Sequence, residues 1–302
     1  MQDKPHVVAI QKQIILSLGK TVPNSESIIY IVATPIGNLD DLSPRAKATL
    51  QQVDIIWAED TRHSRKLLNQ FAIDTPTKAL HEHNERQMAV EICQRVKQGE
   101  SCAIISDAGT PLISDPGFVV VREAHRQGIK VVPIPGPSAL VSALCASGLP
   151  SDRFVFEGFI PVKTKARLDK LTQLKTEPGT VIYYESPRRL IDTLEDMLTI
   201  VGGERQVVLA RELSKIFETI KLAPLGELLE WIKQDPNQVK GEVVLLVEGA
   251  PKIEEDKISI DVTLLLSTLA EELPSKQAAG LAAKLTGRKK NELYDLLLQL
   301  KK

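Results

Sequence analysis

The stretch SDAGTPLISDPG, residues 106–117, decides how the first half of this chain is arranged. It follows directly on the apolar run CAII at residues 102–105, which is typical of a buried β-strand. Two aspartates, two glycines, two prolines and two serines in twelve residues favour a stiff loop with exposed backbone groups and side-chain acceptors. Open α/β sheets bind ligands at the carboxyl ends of their parallel strands. We therefore predict that residues 106–117, here called the 106–117 loop, form part of a ligand site.

Short aliphatic runs alternate with loops and helical stretches along the chain, which is the pattern of an α/β protein. In the first half, strands are predicted at 28–33, 53–58, 77–81, 102–106 and 131–134, and helices at 44–50, 85–97, 117–127 and 139–144. Their few polar interruptions predict a parallel sheet covered on both faces. In the second half, strands are predicted at 154–159, 181–185, 207–211, 217–222 and 243–248, and helices at 163–175, 188–200 and 225–233. This half is expected to be a second α/β domain with a mixed sheet.

Breaks in the pattern suggest four segments. A Gly-Leu-Pro break at 148–150 separates the two halves, and a charged segment at 252–257 is typical of a linker. Helical stretches at 264–273 and 275–285, followed by leucines at helical spacing, predict a small helix-turn-helix module. We expect an N-terminal extension at 1–27, α/β domains at 28–148 and 149–251, and the helical module at 258–302.

Composition excludes few classes of function. Lys and Arg total 38 against 39 Asp and Glu, a net charge of −1, so only local patches could attract nucleic acid or a membrane. The odd set Cys93, Cys102 and Cys145 has aliphatic or alanine neighbours, which predicts buried thiols in a reducing cytosol. No apolar run approaches the ~18 residues of a membrane span, and an export signal is lacking at the N-terminus. A cytoplasmic protein without membrane contact is expected.

Three other strand ends carry polar loops. The loop at 34–40 has a glycine ahead of a helix with Ser43 as its cap, but without a Gly-x-Gly-x-x-Gly or Walker lysine motif a phosphate cradle is the weaker interpretation. The charged run at 59–65 is either a functional cluster or the solvated start of a helix. The prolines at 133–137 fix a rigid turn, where Ser138 can cap the next helix; this turn is either plain or a second wall of the ligand site.

Six motifs in this order and spacing closely resemble the tetrapyrrole methylase superfamily, and within it the branch that methylates small-subunit ribosomal RNA. They are VATPIGNLDDLSPRA, WAEDTRHS, SDAGTPLISDPG, PIPGPSALVSALCASGLP, FEGFIP and YYESPRR. The resemblance covers about 28–249, and the helical tail is similar to that branch's C-terminal module. Relatives that act on tetrapyrroles have a more glycine-rich first loop, whereas this chain has Ala33, Thr34 and Pro35 there. That departure favours the RNA-modifying branch.

The resemblance implies a two-domain cleft that binds S-adenosylmethionine, a homodimer, and methylation of the ribose 2′-hydroxyl of a cytidine in the decoding region of 16S ribosomal RNA. Carried over residue by residue, it implies a cofactor pocket with contributions from both domains. The predicted pocket residues are Pro35, Asp107, Gly109, Ile113, Ser114, Asp115, Pro135, Gly136, Ser138, Tyr184 and Glu185, with Ala210 and residues 241–243 as further candidates.

Methyl transfer to a hydroxyl removes the hydroxyl proton, and a general base typically contributes about 10²–10⁴-fold to such a step. The expected catalytic residues are Asp60, Glu185, Arg188 and Lys215, with His81 as a further candidate base. The sequence does not choose among them. His81-Glu82-His83 has the residue types of a metal pair but no supporting Cys or Asp set, so no metal is expected.

Basic side chains near the predicted cleft are expected either to bind the RNA backbone or to form solvated ion pairs. They are Arg62, Arg65, Arg188, Arg189, Arg211 and Lys215, then Lys163, Lys165, Arg167 and Lys170, and at the start of the last helix Arg288, Lys289 and Lys290. Two alternative functions remain open. One is a tetrapyrrole methyltransferase of the same fold, and the other is a non-catalytic RNA-binding ribosome-assembly factor with a relic cofactor site.

Overall fold

The computed structural model describes residues 28–251 and 261–300. The predicted N-terminal extension at 1–27 and the predicted linker at 252–257 lie outside these residues. The chain divides into two compact units, the first ending at Ala250 and the second beginning at Pro251.

The first sheet of the larger unit has five parallel strands in the order β3-β2-β4-β1-β5. Its strands are β1 (Ile28–Val32), β2 (Ile55–Ala58), β3 (Thr77–Ala79), β4 (Cys102–Ile105) and β5 (Lys130–Ile134). The helices of this half are α1 (Pro44–Gln52), α2 (Thr61–Gln70), α3 (Glu85–Lys97), α4 (Phe118–Arg126) and α5 (Ala139–Ser147). The loops after β1, β2, β4 and β5 therefore emerge at one edge, where a ligand site forms in such sheets.

Helices on both faces explain why the central strands are apolar throughout. Every residue of β2 and β4 is buried. Helices α3 and α4 pack on one face around Trp57 and Ile104, while α1 and α2 pack on the other around Ile56 and Leu68.

Local hydrogen bonds begin the helices that follow the strand ends. The Ser43 hydroxyl accepts from the Ala46 N–H at 3.0 Å, with Pro44 at the first position of α1. The Asp60 carboxylate accepts from two N–H groups in the first turn of α2. These contacts set where the chain leaves each loop.

Helix α4 is capped by a side chain from another helix. Glu85, the first residue of α3, accepts from the N–H of Gly117 at 2.7 Å and of Val119 at 2.8 Å. A carboxylate at this point satisfies two orphan donors and complements the helix dipole. It also fixes the carboxyl end of the 106–117 loop.

The second sheet is mixed, with strand order β6-β7-β10-β8-β9, a parallel β6–β7 pair and antiparallel pairs elsewhere. Its strands are β6 (Phe154–Phe159), β7 (Thr180–Glu185), β8 (Gln206–Arg211), β9 (Thr219–Pro224) and β10 (Val243–Val247). One face is covered by α6 (Thr164–Thr172), α7 (Leu190–Val201) and α8 (Leu225–Gln234).

Helix α5 covers the other face of this second sheet, although the sequence assigns it to the first domain. Its Leu140 and Leu144 share an apolar cluster with Val208 and Leu246, and Ile36 from the loop after β1 joins them. The two sheets therefore share a core within one compact unit. The division at 148/149 stays a prediction.

In the C-terminal unit, the described residues 261–300 form three helices, α9 (Val262–Glu272), α10 (Ser275–Thr286) and α11 (Lys290–Leu300). They pack around Leu266, Ala279, Leu293 and Leu297. Gly287 takes the left-handed conformation (φ 71°) that ends α10 and turns the chain toward α11.

The predicted fold class is confirmed: a parallel sheet and a mixed sheet precede a small helical module. Most element bounds agree within one to three residues. The strand expected at 217–222 runs over Thr219–Pro224, and the helix expected at 163–175 ends at Thr172. Cys93 and Cys102 are buried, but the prediction for Cys145 is wrong, because Cys145 is exposed on α5.

Candidate functional site

A cavity of about 470 Å³ lies where the carboxyl edge of the first sheet meets the second sheet. Its wall includes Ile36 after β1, Glu59 after β2, the 106–117 loop and Ser138 after β5. The second sheet contributes the ends of β6 and β7, Ala210 of β8 and the start of β10. The topology thus assembles one site from segments as distant in sequence as Ile36 and Val244.

The 106–117 loop is tied to its neighbours on both sides. Thr34 and Gly109 exchange backbone hydrogen bonds of 2.8 and 3.0 Å, and the Thr110 hydroxyl donates to the Pro137 carbonyl at 2.9 Å. Gly109 has φ 84°, which a glycine adopts without strain. The loop is therefore preorganised.

Strained backbone concentrates at the cavity. Of the five non-glycine residues with positive φ in the described part of the chain, Leu112 and Ser114 lie in the 106–117 loop, and Glu212 and Ser214 lie between β8 and β9. Such conformations cost of order 1–3 kcal/mol each and cluster at functional sites. Their position supports a ligand-binding role for both loops.

Glu59, Asp107 and Asp115 are the acidic residues that the loops of the first sheet contribute to the wall. Burial raises the pKa of Glu59, and the charges of Asp115 and Asp107 raise it further. Burial also raises the pKa of Asp115; a hydrogen bond with Ser106 opposes this shift and the charge of Asp107 adds to it. Since like charges disfavour one another here, the cavity is suited to a cationic ligand.

Tyr184 supplies an aromatic wall from the second sheet. Its ring meets Phe156 and Phe159 edge to face, with centroids 4.9 and 5.5 Å away. Burial raises the pKa of the Tyr184 hydroxyl, which therefore stays protonated near neutral pH. An apolar ring with a hydroxyl donor suits the aromatic part of a cofactor.

Glu185 lines the cavity, but its carboxylate is already engaged in hydrogen bonds and an ion pair. It accepts from the Thr193 hydroxyl at 2.7 Å and from the Ser186 N–H at 2.5 Å, and it pairs with Arg189 at 2.5 Å. The side chain is fully buried. We infer that Glu185 holds the turn after β7 in place and is not the general base.

The Lys215 side chain is also paired with neighbouring carboxylates. Its ammonium donates to Glu212 at 2.8 Å and lies 3.2 Å from Glu242. Burial lowers the pKa of Lys215, but these two carboxylates outweigh burial and raise it overall. These contacts keep the ammonium protonated and argue against Lys215 as a general base, so its catalytic role stays a prediction.

Asp60 lies outside the cavity wall, contrary to the prediction of a catalytic role. Its carboxylate caps α2, and hydrogen bonds from the N–H groups of Arg62 and His63 lower its pKa. The preceding residue, Glu59, faces the cavity. Two adjacent carboxylates thus differ in position: Asp60 caps α2, and Glu59 lines the cavity.

Most predicted cofactor residues lie together in the wall, and three do not. Pro35, Pro135 and Gly136 are absent from it, although their neighbours Ile36 and Ser138 belong to it. Gly136 has a packing role, because an added Cβ would lie 2.9 Å from Ala33 Cβ. Ser138 stands at the start of α5 without making a capping bond. The predicted residues in the wall are Asp107, Gly109, Ile113, Ser114, Asp115, Ser138, Tyr184, Glu185, Ala210 and 241–243.

Several predicted RNA-binding residues have internal partners. Arg211 is buried and donates to Gln238, Thr219 and two backbone carbonyls, which argues against its predicted contact with RNA. Arg167 pairs with Asp196 at 2.6 Å, Lys170 pairs with Glu157, and Arg189 pairs with Glu185. These contacts stabilise the second half of the larger unit.

Other predicted cations are accessible. Arg62 has a side chain 90% exposed, and Arg188, Lys163 and Lys165 are exposed as well. Arg65 is half-buried and donates to Thr77 at 2.8 Å. In the C-terminal unit, residues 288–290 are all exposed.

His81 lies outside the cavity wall, and its buried Nδ1 has no hydrogen-bond partner among the described residues. The ring centroids of His81 and His83 lie 6.0 Å apart, in an edge-to-face arrangement. Over 28–251 and 261–300, no group of three or more His, Cys, Asp or Glu side chains could hold a metal ion.

Sequence reasoning missed several wall residues. Glu59 follows β2 directly, so its position at a strand end was a usable signal. Phe159, Leu213 and Ala139 carry no polar chemistry, and nothing in their local sequence separates them from core residues. Only the packing of the second sheet against the first reveals them.

Two family models match the chain. Residues 28–229 match the model described as Tetrapyrrole (Corrin/Porphyrin) Methylases, and residues 256–301 match the one described as RsmI C-terminal HTH domain. Within the described residues, no helix is long and apolar enough to cross a membrane.

Curated relatives cover nearly the whole chain. A protein of Haemophilus influenzae named Ribosomal RNA small subunit methyltransferase I is 55% identical, over 88% of this chain and 95% of its own length. Proteins of the same name from Pseudomonas aeruginosa and Escherichia coli O157:H7 are 54% and 52% identical, over 91% and 93% of this chain and 98% of their own lengths.

Solved structures share the fold at low identity. Uroporphyrin-III-C-methyltransferase from Thermus thermophilus superposes with a TM-score of 0.52 at 17% identity, covering 74% of this chain and 94% of its own. A diphthine synthase superposes with a TM-score of 0.54 at 13% identity, and the match covers 73% of this chain and 90% of the synthase. Enzymes named for different substrates share this architecture, so the fold alone does not choose a substrate.

Proposed function

The chain belongs to the tetrapyrrole (corrin/porphyrin) methylase family, and from that premise we propose that it is an S-adenosylmethionine-dependent RNA methyltransferase. Its substrate in this proposal is the ribose 2′-hydroxyl of a cytidine in the decoding region of 16S ribosomal RNA. The observation that carries the proposal is the preorganised, carboxylate-lined cavity between the two sheets. The printed name of relatives at 52–55% identity supports an RNA substrate.

The residues of the cavity fit S-adenosylmethionine. The ligand is cationic at sulfur, and Glu59, Asp107 and Asp115 supply the negative charge that favours a cation. The half-buried Tyr184 ring, with Ala210 and Val243, offers an apolar surface for its adenine. When bound, the cofactor supplies an activated methyl group with its own leaving group.

The protein's task is to position the acceptor and take up a proton. The tied 106–117 loop holds the cofactor's surroundings rigid, so little ordering is left for the moment of reaction. Glu59 takes the role of proton acceptor for the ribose hydroxyl, since its carboxyl group faces the cavity and has a raised pKa, which suits a general base.

Exposed cations give the RNA backbone a place to bind. Arg62 follows the cavity residue Glu59 closely, and Arg188 follows the cavity residue Pro187 directly. Phosphate contacts of this kind position the substrate and do not read its sequence. We place the protein in the cytoplasm, acting on the small ribosomal subunit.

An apolar surface supports the homodimer in this proposal. Ile220 and Leu222 on the edge strand β9 are 36% and 46% exposed, and Val141 on the adjoining α5 is 56% exposed. A second copy would cover the unpaired edge. Light scattering should give twice the monomer mass, and Leu222→Glu should shift it toward the monomer; a monomeric wild-type protein would contradict the dimer.

Transfer of label from S-adenosylmethionine tests the substrate. Purified protein is incubated with small ribosomal subunits from a strain lacking the gene, and in parallel with uroporphyrinogen. We expect label in ribosomal RNA, at a ribose of a cytidine when nuclease fragments are mapped by mass. Label only in the porphyrinoid would establish the tetrapyrrole alternative, and subunit binding without label would establish the assembly factor.

A further inference from the structure

Phe159, the last residue of β6, is an aromatic side chain in the cavity wall that remains 61% exposed. Single exposed apolar residues are common on protein surfaces. Phe118 and Phe154 are exposed in this way, at 59% and 44%, and neither lines the cavity. Phe159 differs from them because its open ring borders the space where the reaction takes place.

A β-bulge directs Phe159 to this position. The pairing of β6 with β7 shifts between Phe156 and Phe159, and Gly158 has φ 66°. Bulges of this kind re-aim a side chain and occur next to active sites. An added Cβ on Gly158 would lie 3.4 Å from Ser114 Oγ, so the bulge packs directly against the 106–117 loop.

The backbone after Phe159 is fixed on both sides. The Ile160 N–H donates to the Tyr184 carbonyl at 3.3 Å, and the Ile160 carbonyl accepts from Arg189 at 3.0 Å. The Ile160 side chain is buried. The ring of Phe159 in turn packs edge to face on Tyr184, centroid to centroid 5.5 Å. These contacts fix the Phe159 ring in place while one side of it stays exposed to solvent.

Negative and positive side chains lie in different places around Phe159. The carboxyl groups of Glu59, Asp107 and Asp115 line the cavity, whereas the exposed cations Lys163 and Lys165 follow Phe159 within six residues. A nucleotide has matching parts, because its phosphates favour the cations and its uncharged base can stack on a ring. Proteins that bind unpaired RNA combine these two elements.

We propose that Phe159 is the stacking platform for a nucleobase of the RNA substrate, holding the target nucleotide while its ribose enters the cavity. This inference rests on the proposed RNA methyltransferase function and goes beyond it by naming the residue that receives the base. Phe159 is a positioning residue, since it acts through the base and not on the reacting atoms.

The test compares Phe159→Ala, Phe159→Leu and Phe159→Tyr in the full-length protein, with Phe154→Ala as the matched control from the same strand. Methyl transfer to small ribosomal subunits gives kcat and KM, and calorimetry gives the Kd for S-adenosylmethionine. Base stacking on an aromatic ring predicts a rise of about 10- to 100-fold in KM for the subunit in the alanine variant. Phe159→Leu should show most of this rise in KM. Phe159→Tyr and the control Phe154→Ala should both have the KM of the wild type.

Three results would overturn the platform while leaving the enzyme's function intact. One is unchanged kinetics in Phe159→Ala; another is equal activity of the leucine and tyrosine variants, which would show that only bulk matters. The third is a parallel rise in the Kd for S-adenosylmethionine, which would place Phe159 in the cofactor pocket. A wild-type protein that transfers no label to RNA would instead overturn the proposed function, and the platform with it.

Discussion

Glu59 and Asp60 are adjacent carboxylates with opposite effects on the folded state. Burial and neighbouring carboxylates raise the pKa of Glu59, while hydrogen bonds from the first turn of α2 lower the pKa of Asp60. By linkage, an ionised Glu59 destabilises the fold above the ordinary carboxyl range, and this penalty disappears as pH falls. An ionised Asp60 stabilises the fold above that range, and this gain is lost as pH falls through its lowered pKa.

Urea unfolding between pH 3 and 8 should separate the two. Glu59→Gln is expected to raise the free energy of unfolding at pH 7 by up to about 1 kcal/mol, since half-exposed carboxylates repel weakly, and to weaken cofactor binding. Asp60→Ala is expected to lower the free energy of unfolding at pH 7 while leaving the Kd for S-adenosylmethionine unchanged. A Glu59→Gln protein that is less stable than the wild type would contradict the like-charge interpretation.

Gly37 permits close packing between the loop after β1 and the loop after β8. An added Cβ would lie 2.4 Å from Lys215 Cγ and 3.1 Å from the Leu213 carbonyl oxygen. Gly37→Ala should therefore cost about 1–3 kcal/mol through overpacking and reduce cofactor affinity by displacing Leu213. Gly203→Ala is the control, because its nearest neighbour would be 3.5 Å away; equal losses in both variants would argue against this contact.

At the scale of elements, the turn after β7 separates two arginines that the sequence treats alike. Arg189 pairs with the buried Glu185 carboxylate and holds the Ile160 carbonyl, whereas Arg188 is exposed. The short helical turn Pro187–Arg189 presents one side chain to the interior and the other to solvent. Arg189 therefore has a structural role, and only Arg188 is free to take the RNA-binding role of the proposed function.

Arg189→Gln should lower the free energy of unfolding by about 3–5 kcal/mol, because it leaves a buried carboxylate unpaired. Arg188→Gln should leave stability unchanged and reduce the salt dependence of RNA binding by about one unit of slope. Chemical denaturation and filter binding at several salt concentrations measure these effects. If Arg188→Gln bound RNA with an unchanged slope, Arg188 would not contact a phosphate.

At the scale of the whole molecule, the proposed function uses the two compact units differently. The cavity lies entirely within the larger unit, and the exposed cations at 288–290 lie in the C-terminal unit. Cofactor binding and part of the RNA affinity should therefore respond to different substitutions.

Replacing Arg288, Lys289 and Lys290 together by glutamine should weaken binding to small subunits and lower its salt slope by up to about three units. The Kd for S-adenosylmethionine should stay at the wild-type value. Lys276→Gln with Lys284→Gln, which removes two exposed cations of α10, is the control for net charge. Equal effects of both sets would indicate general electrostatic attraction in place of a localised contact.

The sequence by itself determined the α/β alternation, the order of the elements, the helix start at Ser43, and the 106–117 loop as part of the site. These features depend on hydrophobic periodicity and on hydrogen bonds within a few residues, which local sequence encodes. Its motifs also carried the resemblance to the family.

Only the tertiary structure decided which side chains face the cavity. It placed Glu59 in the wall and Asp60 outside it, buried Arg211, engaged Glu185 with Arg189, and brought Phe159 beside the 106–117 loop. Each of these outcomes depends on partners that are remote in the sequence or on a local bulge. The physical reason is that the sign of a pKa shift and the exposure of a ring are set by what packs against them, and that packing exists only once the two sheets meet.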